Sequence, residues 1–151
     1  MKIRRAKLAD AKKIHRLINR SAEKGDIIPR SLSEIYESLR DFTVAEEGGR
    51  VVGCCALHLS WENLAEVRSL VVIPERQGKG VGGKLLKTAL REAKRLRVPK
   101  AFALTNKPLF FQKYGFEPIK KEKLPHKIWG DCLKCPKFPK CDEVALWKRL
   151  S

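Results

Sequence analysis

Apolar residues recur with two periods along the chain, and each period predicts one kind of element. Alternation of apolar and polar residues predicts strands, whereas spacings of three and four residues predict helices with one buried face. Helices are predicted to begin after Asp10, after Ser31 or Ser33, at Gly80 and at Pro108. Strands are predicted at residues 2–5, 42–46, 51–59, 64–73, 101–104, 116–119 and 143–150.

The order of these elements is a strand, two helices, three strands, a helix, a strand, a helix and two strands. This order predicts an α/β fold in which helices pack on a mixed sheet. The 151 residues suffice for one core, so we expect a single domain over 1–151. The apolar runs are too short to cross a bilayer, and no signal peptide is evident. We therefore expect a cytoplasmic protein without a membrane partner.

The chain is strongly basic, with 33 Lys and Arg against 17 Asp and Glu and a formal net charge of +16. Such a charge attracts anionic ligands, and it also attracts nucleic acid non-specifically. No recognised nucleic-acid-binding motif accompanies it, so nucleic acid is not expected as a partner. A merely solvated, charged surface is the alternative. The sequence leaves the oligomeric state open and is compatible with a homodimer.

A glycine-rich segment follows the predicted strand 64–73. Residues 76–82 read Arg-Gln-Gly-Lys-Gly-Val-Gly, and a helical pattern begins within them. Glycines let the backbone approach a ligand closely, and the free N–H groups and dipole of a helix N-terminus attract anions. The segment therefore predicts a site for a phosphate or pyrophosphate.

The spacing of the glycines narrows the kind of phosphate site. The P-loop pattern is absent. Gly78, Gly80 and Gly83 match the Rossmann spacing, but the acidic residue expected about 20 residues later is missing. A glycine-rich loop without any ligand remains the alternative.

Two segments together resemble one family. Residues 76–82 resemble the pyrophosphate loop of the GNAT superfamily of N-acetyltransferases, and residues 110–116, Phe-Phe-Gln-Lys-Tyr-Gly-Phe, resemble its Phe-Tyr-x-x-x-Gly-Phe element. The resemblance implies acetyl-CoA as cosubstrate and a mixed central sheet, flanked by helices, that splays beside the strand 64–73. The cofactor-binding residues that it implies are Leu70, Val71, Val72, Arg76, Gln77, Gly78, Lys79, Gly80, Val81, Gly82, Asn106 and Phe111.

The catalytic residues follow from the same resemblance and from strand geometry. Alternation puts Glu66, Arg68 and Leu70 on one face of their strand, and Glu66 stands where some GNAT enzymes have a general base. A carboxylate that only pairs with Arg68 is the alternative. Phe111 occupies the position of the usual tyrosine acid and has no proton to give. Tyr114, three residues later, is the candidate acid, or it serves packing alone.

Several shorter segments are similar to those of short amino-acid N-acetyltransferases of the N-acetylglutamate synthase type. They are residues 28–31, 65–70, 104–105 and 124–132. The similarity implies transfer of acetyl to the α-amino group of an amino acid, glutamate first, as the opening step of arginine biosynthesis. Arg30, Arg68 and Lys127 are then the cations for an acidic substrate. The alternatives are another amine, such as a polyamine or protein N-terminus, and a non-catalytic basic module that associates with nucleic acid.

The segment 124–142 carries three cysteines, Cys132, Cys135 and Cys141. The spacing Cys-x2-Cys-x5-Cys suggests a metal site, for which His126 is the nearest fourth ligand. The spacing is not a paired CxxC arrangement, however. We therefore expect reduced thiols and no metal.

Overall fold

The computed structural model describes residues 1–125 and 143–150. Seven strands build one sheet: β1 (Lys2–Arg5), β2 (Phe42–Glu47), β3 (Arg50–Trp61), β4 (Leu64–Val72), β5 (Lys100–Thr105), β6 (Glu117–Ile119) and β7 (Val144–Arg149). The helices are α1 (Ala11–Glu23), α2 (Leu32–Glu37), α3 (Val81–Arg95) and α4 (Pro108–Lys113). The predicted elements are confirmed, with boundaries that shift by a few residues.

The sheet has the strand order β1-β2-β3-β4-β5-β7-β6. All neighbouring strands are antiparallel except β4 and β5, which are parallel, so the predicted mixed sheet is confirmed. The last strand pairs antiparallel with β6, as predicted, and also with β5.

The sheet splays between β4 and β5. Their pairing begins with Leu64 opposite Lys100 and ends with Glu66 opposite Phe102. Strand β4 continues beyond this point to Val72. The expected splay is confirmed, and Glu66 lies at the point where the two strands separate.

Helices cover both faces of the sheet. Helices α3 and α4 pack on one face, around Leu85, Leu86 and Phe111. Helix α1 packs on the other face together with α2, around Ile14 and Ile35. Within residues 1–125 and 143–150, no helix combines the length and apolarity needed to cross a membrane.

The starts of the first two helices follow different local rules. Ser31 caps α2, because its hydroxyl accepts from the Glu34 N–H at 3.1 Å while the Glu34 carboxylate faces the Ser31 N–H. Asp10 occupies the predicted N-cap position of α1, but its side chain makes no capping hydrogen bond to that helix. Its carboxylate instead accepts from the Lys7 N–H at 2.7 Å and from the Arg4 guanidinium, since a 3₁₀ turn at Leu8–Asp10 precedes the helix.

One prediction about β4 is wrong. Glu66 and Arg68 share a face, as expected, but Leu70 lies on the opposite one, where it packs in the α3 core. The cause is a β-bulge at Ser69, whose φ is +55°. Arg68 pairs with Ala56 and Val71 with Cys54, so two residues of β4 oppose Cys55 alone. The extra residue reverses the alternation beyond it.

Candidate active site

A cleft of about 380 Å³ occupies the gap between the separated strands. Its walls come from β4 beyond Glu66, the glycine-rich segment, the end of β5, helix α4 and the end of α1. The carboxyl end of β4, the start of α3 and the end of β5 therefore line one cleft, and α4 lies against the first turn of α3 through Phe110 and Tyr114.

The glycine-rich segment forms an anion cradle at the start of α3. Gly78 and Gly80 have φ values of +75° and +85°, which L side chains rarely adopt. The first intrahelical bond runs from the Lys84 N–H to the Gly80 carbonyl at 3.1 Å. The N–H groups of residues 81–83 thus have no helix carbonyl to bind, and they are suited to an anion.

Two residues that were predicted to bind the cofactor do not present their side chains to the cleft. The Val81 side chain is buried in the α3 core, so only its backbone can meet a ligand. Lys79 is exposed and lies outside the cleft lining. Gly82 lines the cleft, and its Cα faces the Phe110 ring.

Side-chain contacts hold the cradle in its shape. Arg76 donates to the Glu47 carboxylate through Nη2 at 2.7 Å and Nε at 3.1 Å, which lowers the pKa of Glu47 below its usual value. Gln77 donates to the Val72 carbonyl at 2.9 Å. The role of Glu47 as the partner of Arg76 was not predicted from the sequence. Its position beside the β2–β3 turn is the signal that could have indicated it.

Asn106 presents a buried acceptor in the cleft lining. Asn106 donates through Nδ2 to the Gly25 carbonyl at 3.4 Å. Its Oδ1 is buried and has no hydrogen-bond partner among the described residues. A buried unpaired acceptor costs stability, so this atom suits a ligand that brings an N–H or O–H group. Phe111 lines the cleft as well, mostly buried beneath it.

Glu66 and Arg68 lie together where the strands separate. An Arg68 guanidinium nitrogen, Nη1, is 3.6 Å from Glu66 Oε1, and the two side chains are 18% and 10% exposed. Arg68 lines the cleft, whereas Glu66 lies just before it, at the last β4–β5 pair. The structure therefore brings together the carboxylate and the guanidinium that the sequence singled out.

Tyr114 lines the cleft from the end of α4. Its hydroxyl lies against Gly83, where an added Cβ would be 2.8 Å from Cζ and closer still to Oη. The ring also packs on Phe110, with centroids 5.3 Å apart. Because Gly83 has no Cβ, the Tyr114 hydroxyl can lie against the first turn of α3. The sequence indicates Gly83 only as part of a dinucleotide-binding pattern.

The remaining predicted residues either are absent from the cleft lining or fall outside the described residues. Arg30 lies outside the cleft lining, with Nη1 3.6 Å from Glu34. Lys127, His126 and the three cysteines of the segment 124–142 fall outside the described residues. Within residues 1–125 and 143–150, no cluster of His, Cys, Asp and Glu is arranged to hold a metal ion.

Comparison with known proteins identifies the family. Residues 38–118 match the model described as an acetyltransferase (GNAT) domain. The chain belongs to the GNAT acetyltransferase family. An uncharacterized N-acetyltransferase of Chlorobaculum tepidum is 43% identical over 148 residues, or 98% of this chain and 96% of that protein. The amino-acid acetyltransferase of Mycobacterium tuberculosis is 36% identical over 132 residues, or 85% of this chain and 75% of that protein.

Solved structures share the GNAT fold over almost the whole chain. N-acetylglutamate synthase from Neisseria gonorrhoeae, complexed with coenzyme A and N-acetyl-glutamate, superposes with a TM-score of 0.90 at 28% identity. That match covers 99% of this chain but only 35% of the synthase. Rv2747 from Mycobacterium tuberculosis, in complex with CoA and NLQ, superposes with a TM-score of 0.86 at 26% identity and is covered completely, as is this chain.

Family membership and the cleft agree on the cosubstrate. The chain is an acetyl-CoA-dependent N-acetyltransferase of the GNAT type, similar to amino-acid acetyltransferases. The cradle at the start of α3 suits the pyrophosphate of coenzyme A, and the Asn106 acceptor suits an amide-bearing arm.

Proposed function

We propose that this enzyme transfers acetyl from acetyl-CoA to the α-amino group of an acidic amino acid, with glutamate as the first candidate. The observation that carries the proposal is the Glu66–Arg68 pair at the separation of β4 and β5. The gonococcal synthase, whose structure contains N-acetyl-glutamate, supports the choice of acceptor. In that role the enzyme would open arginine biosynthesis.

Arg68 is proposed to read the acidic side chain of the acceptor. A guanidinium presents a planar fork of donors that matches a carboxylate in two hydrogen bonds. Arg68 reaches the cleft and is only 18% exposed, so its attraction for a carboxylate would be weakened little by surrounding water. Arg30 and Lys127 are the further cations of the proposal.

Glu66 is proposed as the general base. An ammonium must lose a proton before nitrogen can attack a thioester, and a carboxylate within reach takes it directly or through one water. Glu66 is buried beside the end of the cleft, next to the guanidinium that would hold the acceptor. A single short segment of β4 thus supplies both recognition and proton removal.

Tyr114 is proposed to protonate the departing thiolate. Its phenol lines the cleft, whereas Phe111 at the usual tyrosine position has no proton. Gly83 fixes where the hydroxyl lies, at the start of a helix whose dipole favours developing negative charge. We further propose a cytoplasmic enzyme, consistent with the free thiols of Cys54 and Cys55.

The acceptor is tested by thiol release from acetyl-CoA with glutamate, glutamine, aspartate and leucine, in the wild type and in Arg68→Ala. Glutamate is expected to exceed leucine in kcat/KM by about 10²-fold or more, because a site built for a polar group rejects analogues that lack it. Arg68→Ala should remove most of that ratio. Arg16→Ala, an exposed change on α1, is the matched control and should preserve it.

The decisive quantity is the ratio of kcat/KM for glutamate to kcat/KM for leucine within each variant. A general loss of activity from breaking the Glu66–Arg68 pair affects both values and cancels in this ratio. Equal rates with glutamine and glutamate would show that the side-chain charge is not recognised. A polyamine or peptide that is acetylated faster than every amino acid would refute the acceptor class while leaving the acetyltransferase activity intact.

A further inference from the structure

A second pair of ionisable side chains, His58 and Asp41, lies next to Glu66 and outside the cleft lining. His58 Nδ1 is 2.8 Å from Asp41 Oδ2. Asp41 belongs to the 3₁₀ turn Leu39–Asp41, which leads into β2, and His58 lies on β3. An ionised carboxylate only accepts hydrogen bonds, so Nδ1 donates to Asp41 and Nε2 of the neutral ring is left as the proton acceptor.

The strand register puts this histidine beside the proposed base. His58 and Glu66 are directly paired residues of the antiparallel strands β3 and β4. Paired residues project from the same face, with Cβ atoms about 4.5–5.5 Å apart. Charged groups near the imidazole thus include Asp41 from the turn and Glu66 from the neighbouring strand, and Arg68 pairs with Glu66.

The two side chains differ in their access to solvent. Glu66 is 10% exposed, and His58 is 39% exposed. A buried base that has taken a proton must lose it before the next turnover. His58 is the more exposed of the two, pairs directly with Glu66 and lies outside the cleft lining, so it offers a route to water that does not pass through the cleft.

We propose that His58, oriented by Asp41, carries the proton from Glu66 to solvent. This inference rests on the proposed role of Glu66. The O–H bond of protonated Glu66 breaks while an Nε2–H bond forms, which leaves a carboxylate and an imidazolium. Asp41 stabilises the imidazolium through the Nδ1–H bond. Nε2 then releases the proton to water or buffer, and both groups return to their starting states.

The test compares His58→Gln with the wild type at low and high buffer concentration, using the acceptor that the wild-type enzyme acetylates fastest. At low buffer concentration kcat should fall about tenfold or more, below the full contribution of a positioned base because water partly replaces the ring. KM for acetyl-CoA should stay unchanged. Added imidazole should restore most of kcat, because a small base can stand in for the missing side chain.

Three further variants sharpen the result. Asp41→Asn should lower kcat in the same direction by less, and imidazole should rescue it too. Glu66→Gln should lower kcat about 10²-fold or more without rescue, since the base itself is gone. His15→Gln, on α1, should behave as the wild type at every buffer concentration.

Two outcomes would overturn the inference. One is an unchanged kcat for His58→Gln at low buffer concentration. The other is a loss that imidazole does not relieve, which would assign His58 to structure. The acceptor panel in the wild type decides the proposed function separately, because it does not involve this variant.

Discussion

A methyl group added at Gly83 tests whether the first turn of α3 and Tyr114 form one unit. In the helix, Gly83→Ala by itself should stabilise the fold by about 1 kcal/mol, because alanine restricts the unfolded backbone more than glycine does. The new Cβ, however, would lie 2.8 Å from Tyr114 Cζ and nearer to Oη. Favourable contacts between carbon atoms begin at about 3.5 Å, so the ring has to move away by roughly 1 Å.

Several contacts hold Tyr114 in its present position. Phe110 packs against it with centroids 5.3 Å apart, Lys87 Nζ lies 5.8 Å from its centroid, and the Tyr114 carbonyl accepts from Lys148 at 2.7 Å. Overpacking of this kind costs about 1–3 kcal/mol. After the stabilisation by alanine in the helix is subtracted, Gly83→Ala should lower the free energy of unfolding by up to about 2 kcal/mol.

Gly82→Ala is the matched control in the same turn. A Cβ there would meet Phe110 at an ordinary 3.5 Å. Stability measured by urea unfolding without ligand should therefore rise or stay level in Gly82→Ala and fall in Gly83→Ala. Activity of Gly83→Ala should also fall, because Tyr114 lines the cleft.

The double variant Gly83→Ala/Tyr114→Ala isolates the contact. Once the ring is gone, the added methyl should stabilise relative to Tyr114→Ala alone, so the two changes should be strongly non-additive. Equal stabilities of Gly83→Ala and Gly82→Ala in the presence of Tyr114 would refute the close packing and, with it, the position assigned to the phenol.

Two further predictions concern the cradle and the first strand. Gly80→Ala and Gly48→Ala both force alanine to a positive φ with no atom within 4 Å of the new Cβ, so both should lose about 1–3 kcal/mol of stability. Only Gly80→Ala should weaken acetyl-CoA binding in calorimetry, and equal affinities would refute the cradle. Hydrogen bonds from Arg4 lower the pKa of Asp10 below its usual 3.8, so Asp10 stabilises the fold above that pH and less as the pH falls through it. Asp10→Asn should lower the free energy of unfolding by about 3 kcal/mol near pH 7, and this loss should shrink in acid. A loss that does not depend on pH, or an equal loss in the exposed control Glu37→Gln, would contradict this.

The elements and the cofactor cradle were predictable because their signals are local. The capping of α2 by Ser31, the positive φ at Gly80 and the periodicity of α3 each depend on residues within one or two turns of one another. The shared face of Glu66 and Arg68 likewise follows from strand alternation over three residues.

Other features depend on partners distant in the chain. The bulge at Ser69 arises from the pairing of β4 with β3 and reverses the face of Leu70. The bond between Arg76 and Glu47 joins residues on different elements, and the contact of Gly83 with Tyr114 joins α3 to α4. No short window of sequence contains both members of these pairs.

The sequence by itself therefore determined the order of the elements, the α/β class and the glycine-rich cradle, since backbone propensity and hydrophobic period act between near neighbours. Only the tertiary structure decided that β4 and β5 separate after Glu66, and that His58 lies opposite Glu66 on the neighbouring strand β3. Register and separation of strands follow from how both faces of the whole sheet bury their side chains, and that balance is not contained in any one segment.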